Sequence, residues 1–172
     1  MKKIILIVTM LCSFTVFAKD WNLSFDITMG ARSGVWYRAE HKVADNYSLG
    51  IGYLRFAEEY YSDFDVNQYL IYGTYWFNST IEQGWLVSLE LSSSEVSYEI
   101  EPGDTENVSG FGYGVSGGYQ WQWENFNTGI LLHVRAYSFD RSIDYNRPGA
   151  SGNVTVPHHS NGWLGWTLGW AF

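Results

Sequence analysis

The sequence predicts an all-β fold, an eight-stranded antiparallel up-and-down transmembrane β-barrel, behind a short secretory leader. Three observations predict it. Apolar and polar residues alternate with period two in segment after segment, the pattern of strands with two unlike faces. The 172-residue chain holds nine Trp, thirteen Tyr and ten Phe beside eighteen Gly and three Pro. Its final residues, Trp166-Thr-Leu168-Gly-Trp170-Ala-Phe172, end on an aromatic that is in phase with the apolar face.

The leader is read from its three parts. Lys2 and Lys3 make a basic start, Ile4 to Val16 is an apolar stretch, and Val16-Phe17-Ala18 offers small residues where a signal peptidase reads. The stretch is too short for a spanning helix. The expected organisation is a cleaved signal peptide at 1–18 and a barrel at 19–172. Cys12, the only cysteine, lies in the leader behind Leu11, where lipidation requires a small residue. The mature chain then has no thiol for a disulfide or a Cys-held metal. Loss of Lys2 and Lys3 takes the formal charge from −8 to −10, and no basic patch remains, which argues against a nucleic-acid partner.

Eight segments carry the alternation. Trp21, Leu23, Phe25, Ile27 and Met29 share one face, opposite Asn22, Ser24, Asp26 and Thr28. Val35, Tyr37 and Ala39 oppose Trp36, Arg38 and Glu40; Tyr47, Leu49, Ile51 and Tyr53 oppose Ser48, Gly50 and Gly52. Tyr69 to Phe77 is apolar or aromatic on both faces, so its register stays open. Trp85, Val87, Leu89 and Leu91 oppose Ser88, Glu90 and Ser92. Phe111, Tyr113, Val115, Tyr119 and Trp121 oppose glycines, Ser116 and Gln120. Ile130, Leu132, Val134 and Ala136 oppose Gly129, His133 and Arg135, and the last strand sets Leu164 to Phe172 against Gly165, Thr167, Gly169 and Ala171.

An even strand number lets an antiparallel sheet close with both ends on one side. The connections alternate in length, as in transmembrane barrels. Short ones surround Ala44-Asp45-Asn46, Asn78 to Gln83 and Glu124-Asn125; longer ones run through Glu58 to Asp65, Ser94 to Val108 and Asp140 to Asn161. The first connection, Ala31 to Gly34, is short where a long one is expected, which suggests a tight hairpin.

Charges test the register independently, because an Arg facing lipid at mid-bilayer costs ~2–4 kcal/mol. Asp26, Arg38, Glu40, Glu90 and Arg135 all fall on the polar, lumen side. They are expected to form a charge network in an interior just wide enough for side chains, rather than to line a wide pore. A gated proton or ion path is the functional alternative. His41 and Arg55 fall on the apolar side, near strand ends, where a long side chain reaches the headgroups.

Alternation alone also fits a soluble periplasmic sandwich in which the apolar face is the core and binds an apolar ligand. The C-terminal run Trp166, Leu168, Trp170, Phe172 decides between them. It resembles the signature that the barrel-assembly machinery reads on bacterial outer-membrane proteins, and with the leader it makes the whole mature chain resemble the small OmpA/OmpX-like barrels. Gly117 to Trp123 with Asn125-Phe126-Asn127 resembles the same broad class. The resemblance implies an outer-membrane location, contact with outer-membrane lipid and lipopolysaccharide, and a structural or surface-interaction role. A monomer without cofactor or metal is expected.

A second resemblance is local. His158-x-Ser160-Asn161 is similar to the His-x-Ser-Asn motif of the lipid A deacylases, in which the His activates the Ser and an acid orients the His. A serine hydroxyl needs such a neighbouring base. No Asp or Glu follows His158 here, which leaves His133 or Asp140 as a partner in space. The bland reading, a polar loop end, is the expected one. His158 and His159 with Asp140 and Asp144 match no defined metal spacing.

Two further groups are surface features. Glu58, Glu59, Asp63 and Asp65, and Glu99, Glu101, Asp104 and Glu106, make acidic loops suited to solvation or to weak divalent cations bridging lipopolysaccharide phosphates. Trp21, Trp85, Trp121 and Trp123, with Trp166 and Trp170, fall near strand ends, where rings form interface girdles.

Overall fold

The first and last strands of the chain lie side by side and close the sheet. β1 (Trp21–Asp26) pairs antiparallel with β10 (His159–Ala171), from Asn22 opposite Ala171 to Asp26 opposite Thr167. Trp21 and Phe172 extend the seam by exchanging two backbone hydrogen bonds of 2.9 Å. The other wall strands are β2 (Gly34–Ala44), β3 (Tyr47–Glu58), β4 (Phe64–Trp76), β5 (Gly84–Glu101), β6 (Asp104–Trp123) and β7 (Phe126–Ser138). Each pairs antiparallel with its sequence neighbour, in the closed order β1-β10-β7-β6-β5-β4-β3-β2. The computed structural model describes residues 19–30, 34–58, 64–78, 81–101, 104–138, 142–147, 150–155 and 159–172.

The predicted faces keep their sides, and the apolar one points outward. Leu89 is 70% exposed and Ile51 64%, whereas Glu90 and Arg135 are buried. The soluble-sandwich alternative is thereby overturned, since the apolar face is not a core. The undecided register of β4 resolves with Val66, Gln68, Leu70, Tyr72, Thr74 and Trp76 inward and Tyr69, Ile71, Tyr75 and Phe77 outward.

Two expectations about connections are corrected. β1 ends at Asp26, and Ile27–Gly30 turns into a single helical turn, α1, so Met29 is not on the outer face. Asp26 causes the break: its Oδ1 accepts from the Thr28 backbone N–H at 2.8 Å and from Thr28 Oγ1 at 2.5 Å, an Asx-type turn that competes with strand. Among the described residues, Ser94 to Glu101 and Asp104 to Val108 are strand rather than loop. β5 and β6 continue there as a two-stranded ribbon, with a register shift between Glu99 and Glu101. The alternation persists there with its polarity reversed: Val96 and Val108 are buried while Ser93, Glu95 and Ser109 are exposed. Part of the Asp140 to Asn161 connection forms a hairpin, β8 (Ser142–Arg147) with β9 (Ala150–Thr155).

The expected short turns, around Ala44-Asp45-Asn46, Asn78 to Gln83 (described at Asn78 and Ile81 to Gln83) and Glu124-Asn125, share one end of the barrel with the described chain ends. In the second of them Ile81 takes a left-handed φ of 58° and is fully buried. That conformation costs an L-residue ~1–2 kcal/mol, and burying the side chain offsets it by ~1.5–3 kcal/mol. Residues 1–18, the expected leader, lie outside the described residues.

Candidate functional site in the lumen

The interior is stacked in three layers. At the turn end, Trp76, Ile81, Leu86, Leu131 and Ala171 form an apolar plug. At the loop end, Met29, Trp36, Leu54, Leu70 and Trp163 form another. The polar layer between them holds all five charged residues assigned to the lumen, each no more than 8% exposed.

Strand register brings these groups together. Glu90 on β5 and Arg135 on β7 reach across β6 at Gly114, which pairs with both. Arg135 Nε donates to Glu90 Oε2 at 2.6 Å, and Ser116 Oγ donates to Oε1 at 3.0 Å. Arg135 Nη1 and Tyr137 Oη each reach Gln68 Oε1 at 3.4 Å. The Arg135 guanidinium also lies against two indoles, 4.7 Å from the Trp36 ring and 4.8 Å from the Trp163 ring. A desolvated cation on an aromatic face gains roughly 2 kcal/mol.

A second group sits on the β2–β4 wall. Trp76 Nε1 donates to Ser48 Oγ at 2.9 Å, and Ser48 Oγ donates to Glu40 Oε1 at 2.5 Å. Arg38 stacks over Tyr72, its guanidinium carbon 4.1 Å from the ring centre. Gly50 makes room for that phenol: a Cβ there would lie 2.2 Å from Tyr72 Cζ. Below Arg38 and Glu40 a polar cavity of about 10 Å³, lined also by Ser24, Gln120 and Thr167, has space for one water-sized sphere. Asp26 stands apart from both groups and caps α1.

Sequence reasoning leaves His133, Trp36 and Trp163 out of the lumen network. Alternation puts His133 on the polar face, and the residue is fully buried, with Nδ1 3.7 Å from Glu90 Oε1. Trp163 stacks on its face at 4.8 Å and Trp36 meets it edge-on at 4.5 Å. The available signal was phase, since Trp36 alternates with Arg38 and His133 with Arg135.

The remaining assigned residues lie elsewhere. Ser160 is exposed on the outer face at the loop end of β10, opposite Ala136 on β7. His133 is on the inner face, so the barrel wall separates it from Ser160 and it cannot act as the serine's base. Asn161 is in β10, but its side chain and that of His159 lie outside the described residues, as do His158 and Asp140 entirely. Of the acidic loop residues, Asp65 bonds Arg55 at 2.6 Å; the side chains of the other seven lie outside the described residues.

Trp21, Trp85 and Trp123 are exposed and Trp121 is half-buried, all on the outer face near the turn end. They join Trp21–His41, Trp85–Tyr119–Trp121 and Trp123–Phe126 ring contacts of 4.4 to 6.1 Å. Trp166, Leu168, Trp170 and Phe172 alternate outward along the end of β10, and Trp166 Nε1 donates to Thr128 Oγ1 at 2.7 Å.

An apolar outside, a charged inside and a seam between first and last strands define the class: a small, closed, eight-stranded up-and-down barrel of inverted polarity. Solved structures carry the same fold. Neisserial surface protein A matches at 13% identity with a TM-score of 0.59, over 88% of this chain and 93% of that one. The N-terminal β-barrel domain of Pseudomonas aeruginosa OprF matches at 12% identity with a TM-score of 0.53, over 88% and 95%. No family model matches the sequence, and no curated protein does.

Proposed function

We propose that this chain is an integral outer-membrane barrel with a structural or surface-interaction role, exposing its loops and ribbon to the medium and conducting nothing through its lumen. The reversal of polarity along the wall is the observation that carries it. On the outer face, Leu91, Ile71 and Tyr113 are followed at the next levels by Tyr69 and Phe111, and then by Asn67, Glu95 and Ser109. Across β4, β5 and β6 the change falls at one height, where a lipid surface would end. Beyond it the ribbon has its apolar residues inside and its polar ones outside, as protein in water does. The two apolar plugs support a non-conducting lumen.

Heat modifiability of the protein in separated membrane fractions tests the location, and planar-bilayer recording tests the lumen. A band from outer membranes that shifts on boiling, with no conductance steps, is expected. A freely soluble, unshifted band would end the membrane reading, and stepwise currents would end the closed-lumen reading.

The hydrolase reading keeps one observation in its favour: Ser160 is exposed on the outer face near the loop end, where the acyl chains of an outer-leaflet lipid would pass. Lipid A deacylation by the wild type that is lost in Ser160→Ala would establish it. Equal release by both proteins would exclude it.

A further inference from the structure

A broad hollow crosses the outer wall within the apolar belt. It spans β1 to β4 with a volume of about 630 Å³, rimmed by Leu23, Phe25, Tyr37, Tyr53 and Tyr69 and floored by Ala39. A second hollow of about 710 Å³ shares Ala39, Ile51 and Ile71 with it and runs on to Trp21 and His41 at the turn end.

Strand register explains the shape. Ala39, Ile51 and Ile71 stand side by side as one outward row, in which Ala39 is the short member. Tyr37, Tyr53 and Tyr69 form the next row toward the loop end. Two side chains of β3 are drawn away from the hollow, because both of their acceptors lie nearer the loop end. Tyr53 Oη donates to Asn67 Oδ1 at 2.8 Å, and Arg55 donates through Nε and Nη2 to Asp65 at 3.2 and 2.6 Å.

The border above the hollow carries a cation. The tyrosine row lies where the outer face turns polar, and Arg55 stands in the row beyond it, opposite Val35 and Asn67. Its side chain is 56% exposed, and Nη1 takes no part in the pair with Asp65. A guanidinium above an apolar hollow complements a lipid whose phosphate stands above its acyl chains, since Arg matches phosphate oxygens in geometry as well as charge. Phenols at the same height present an apolar body to the chains and a hydroxyl to the headgroup. The hollow crosses three strand spacings of ~4.8 Å, roughly 14 Å in all. That is wider than one acyl chain, so chains lie in it side by side.

We propose that the β1–β4 face is a docking site for a multiply acylated, phosphorylated glycolipid of the outer leaflet, with acyl chains in the hollow and a phosphate on Arg55. The site rests on the outer-membrane reading above, and the position of Arg55 at the loop end selects the outer leaflet. Asp65 competes with the phosphate for the same guanidinium, so it tunes the site as well as flanking it.

The test is native mass spectrometry of the intact, heat-modifiable barrel in detergent, titrated with bisphosphorylated lipid A, with dephosphorylated lipid A and with two-chain phosphatidylethanolamine. The bisphosphorylated form is expected to bind about tenfold more tightly than either of the others, the scale of one charge-assisted contact. Arg55→Gln should remove that preference, Asp65→Asn should strengthen it, and Ala39→Trp, which fills the hollow from outside the barrel, should weaken all lipid A binding. Leu132→Trp, on the opposite wall, should change nothing. Equal binding of the three lipids would mean ordinary annular solvation and would overturn the site, as would binding indifferent to both Arg55→Gln and Ala39→Trp. A barrel dimer that Ala39→Trp dissociates would assign the face to a second copy and overturn the lipid. Loss of heat modifiability in the wild type would end the membrane reading itself, whereas a heat-modifiable barrel without lipid preference would end only this site.

Discussion

Arg135 Nη2 sits 2.6 Å from Glu90 Oε2 in the middle of the barrel, and neither side chain is more than 2% exposed. The pair joins β5 to β7 through the lumen across the intervening β6. Removing one partner leaves a buried charge, which costs ~3–5 kcal/mol, whereas replacing both with apolar residues of similar volume is often neutral. Glu90→Ala is therefore expected to lower stability by ~3–5 kcal/mol, and Glu90→Leu with Arg135→Met by much less. Equilibrium urea unfolding in lipid vesicles measures both. Equal losses in the two proteins would show that the pair's charges do not dominate the site.

Gly50 and Gly73 sit on adjacent strands but face different surroundings. A Cβ at Gly50 would fall within 2.2 to 2.6 Å of three atoms of the Tyr72 phenol, the ring on which Arg38 stacks. At Gly73 the nearest atom is Leu49 Cδ2 at 3.5 Å, an ordinary contact. Gly50→Ala should cost ~1–3 kcal/mol by overpacking, and Gly73→Ala should stay within ~0.5 kcal/mol. The same unfolding titration resolves the difference, and an equal effect would mean that Tyr72 moves freely.

The wall was legible because one rule, alternation, places a residue on a face regardless of which strand it pairs with. Asp26, Arg38, Glu40, Glu90 and Arg135 could all be put inside before any pairing was known. Alternation does not reveal who meets whom across the lumen. The union of Glu90 with Arg135, and the contact of His133 with Trp36 and Trp163, depend on register over three or four strands. β4 was illegible for a related reason: Leu70, Tyr72 and Trp76 are apolar residues that serve as lumen filling, so both of its faces read alike. Ser94 to Val108 reads as a loop in the sequence because its polarity reverses, although its period is unchanged. Reversal is what a strand shows when it leaves one solvent for another, and a rule that fixes which face is apolar cannot register it.

That reversal gives a depth-resolved test of membrane insertion. Leu89 points outward within the apolar belt, and Ser109 points outward beyond it, paired with Glu95. Leu89→Arg should cost ~2–4 kcal/mol in vesicles, and Ser109→Arg ~0–1 kcal/mol. Two small and similar costs would show that Leu89 does not meet hydrocarbon.

Phe172 has separable roles in closure and in assembly. Its backbone N–H and carbonyl bond Trp21 at 2.9 Å each, closing the seam between the ends of the chain, while its side chain is half-buried on the outer face. Phe172→Ala keeps both backbone bonds and loses part of one aromatic contact area, so refolding into vesicles in vitro should weaken by no more than ~1–2 kcal/mol. If the side chain is read as a sorting signal by the assembly machinery, the yield of heat-modifiable barrel in cells should fall severalfold in the same variant. Deleting Phe172 removes the two seam bonds as well, at ~0.5–1.5 kcal/mol each, and should impair both processes. The comparison turns on the alanine variant. A cellular defect alongside nearly normal refolding assigns the terminal ring to recognition, whereas parallel losses in both assays would make it an ordinary part of the wall.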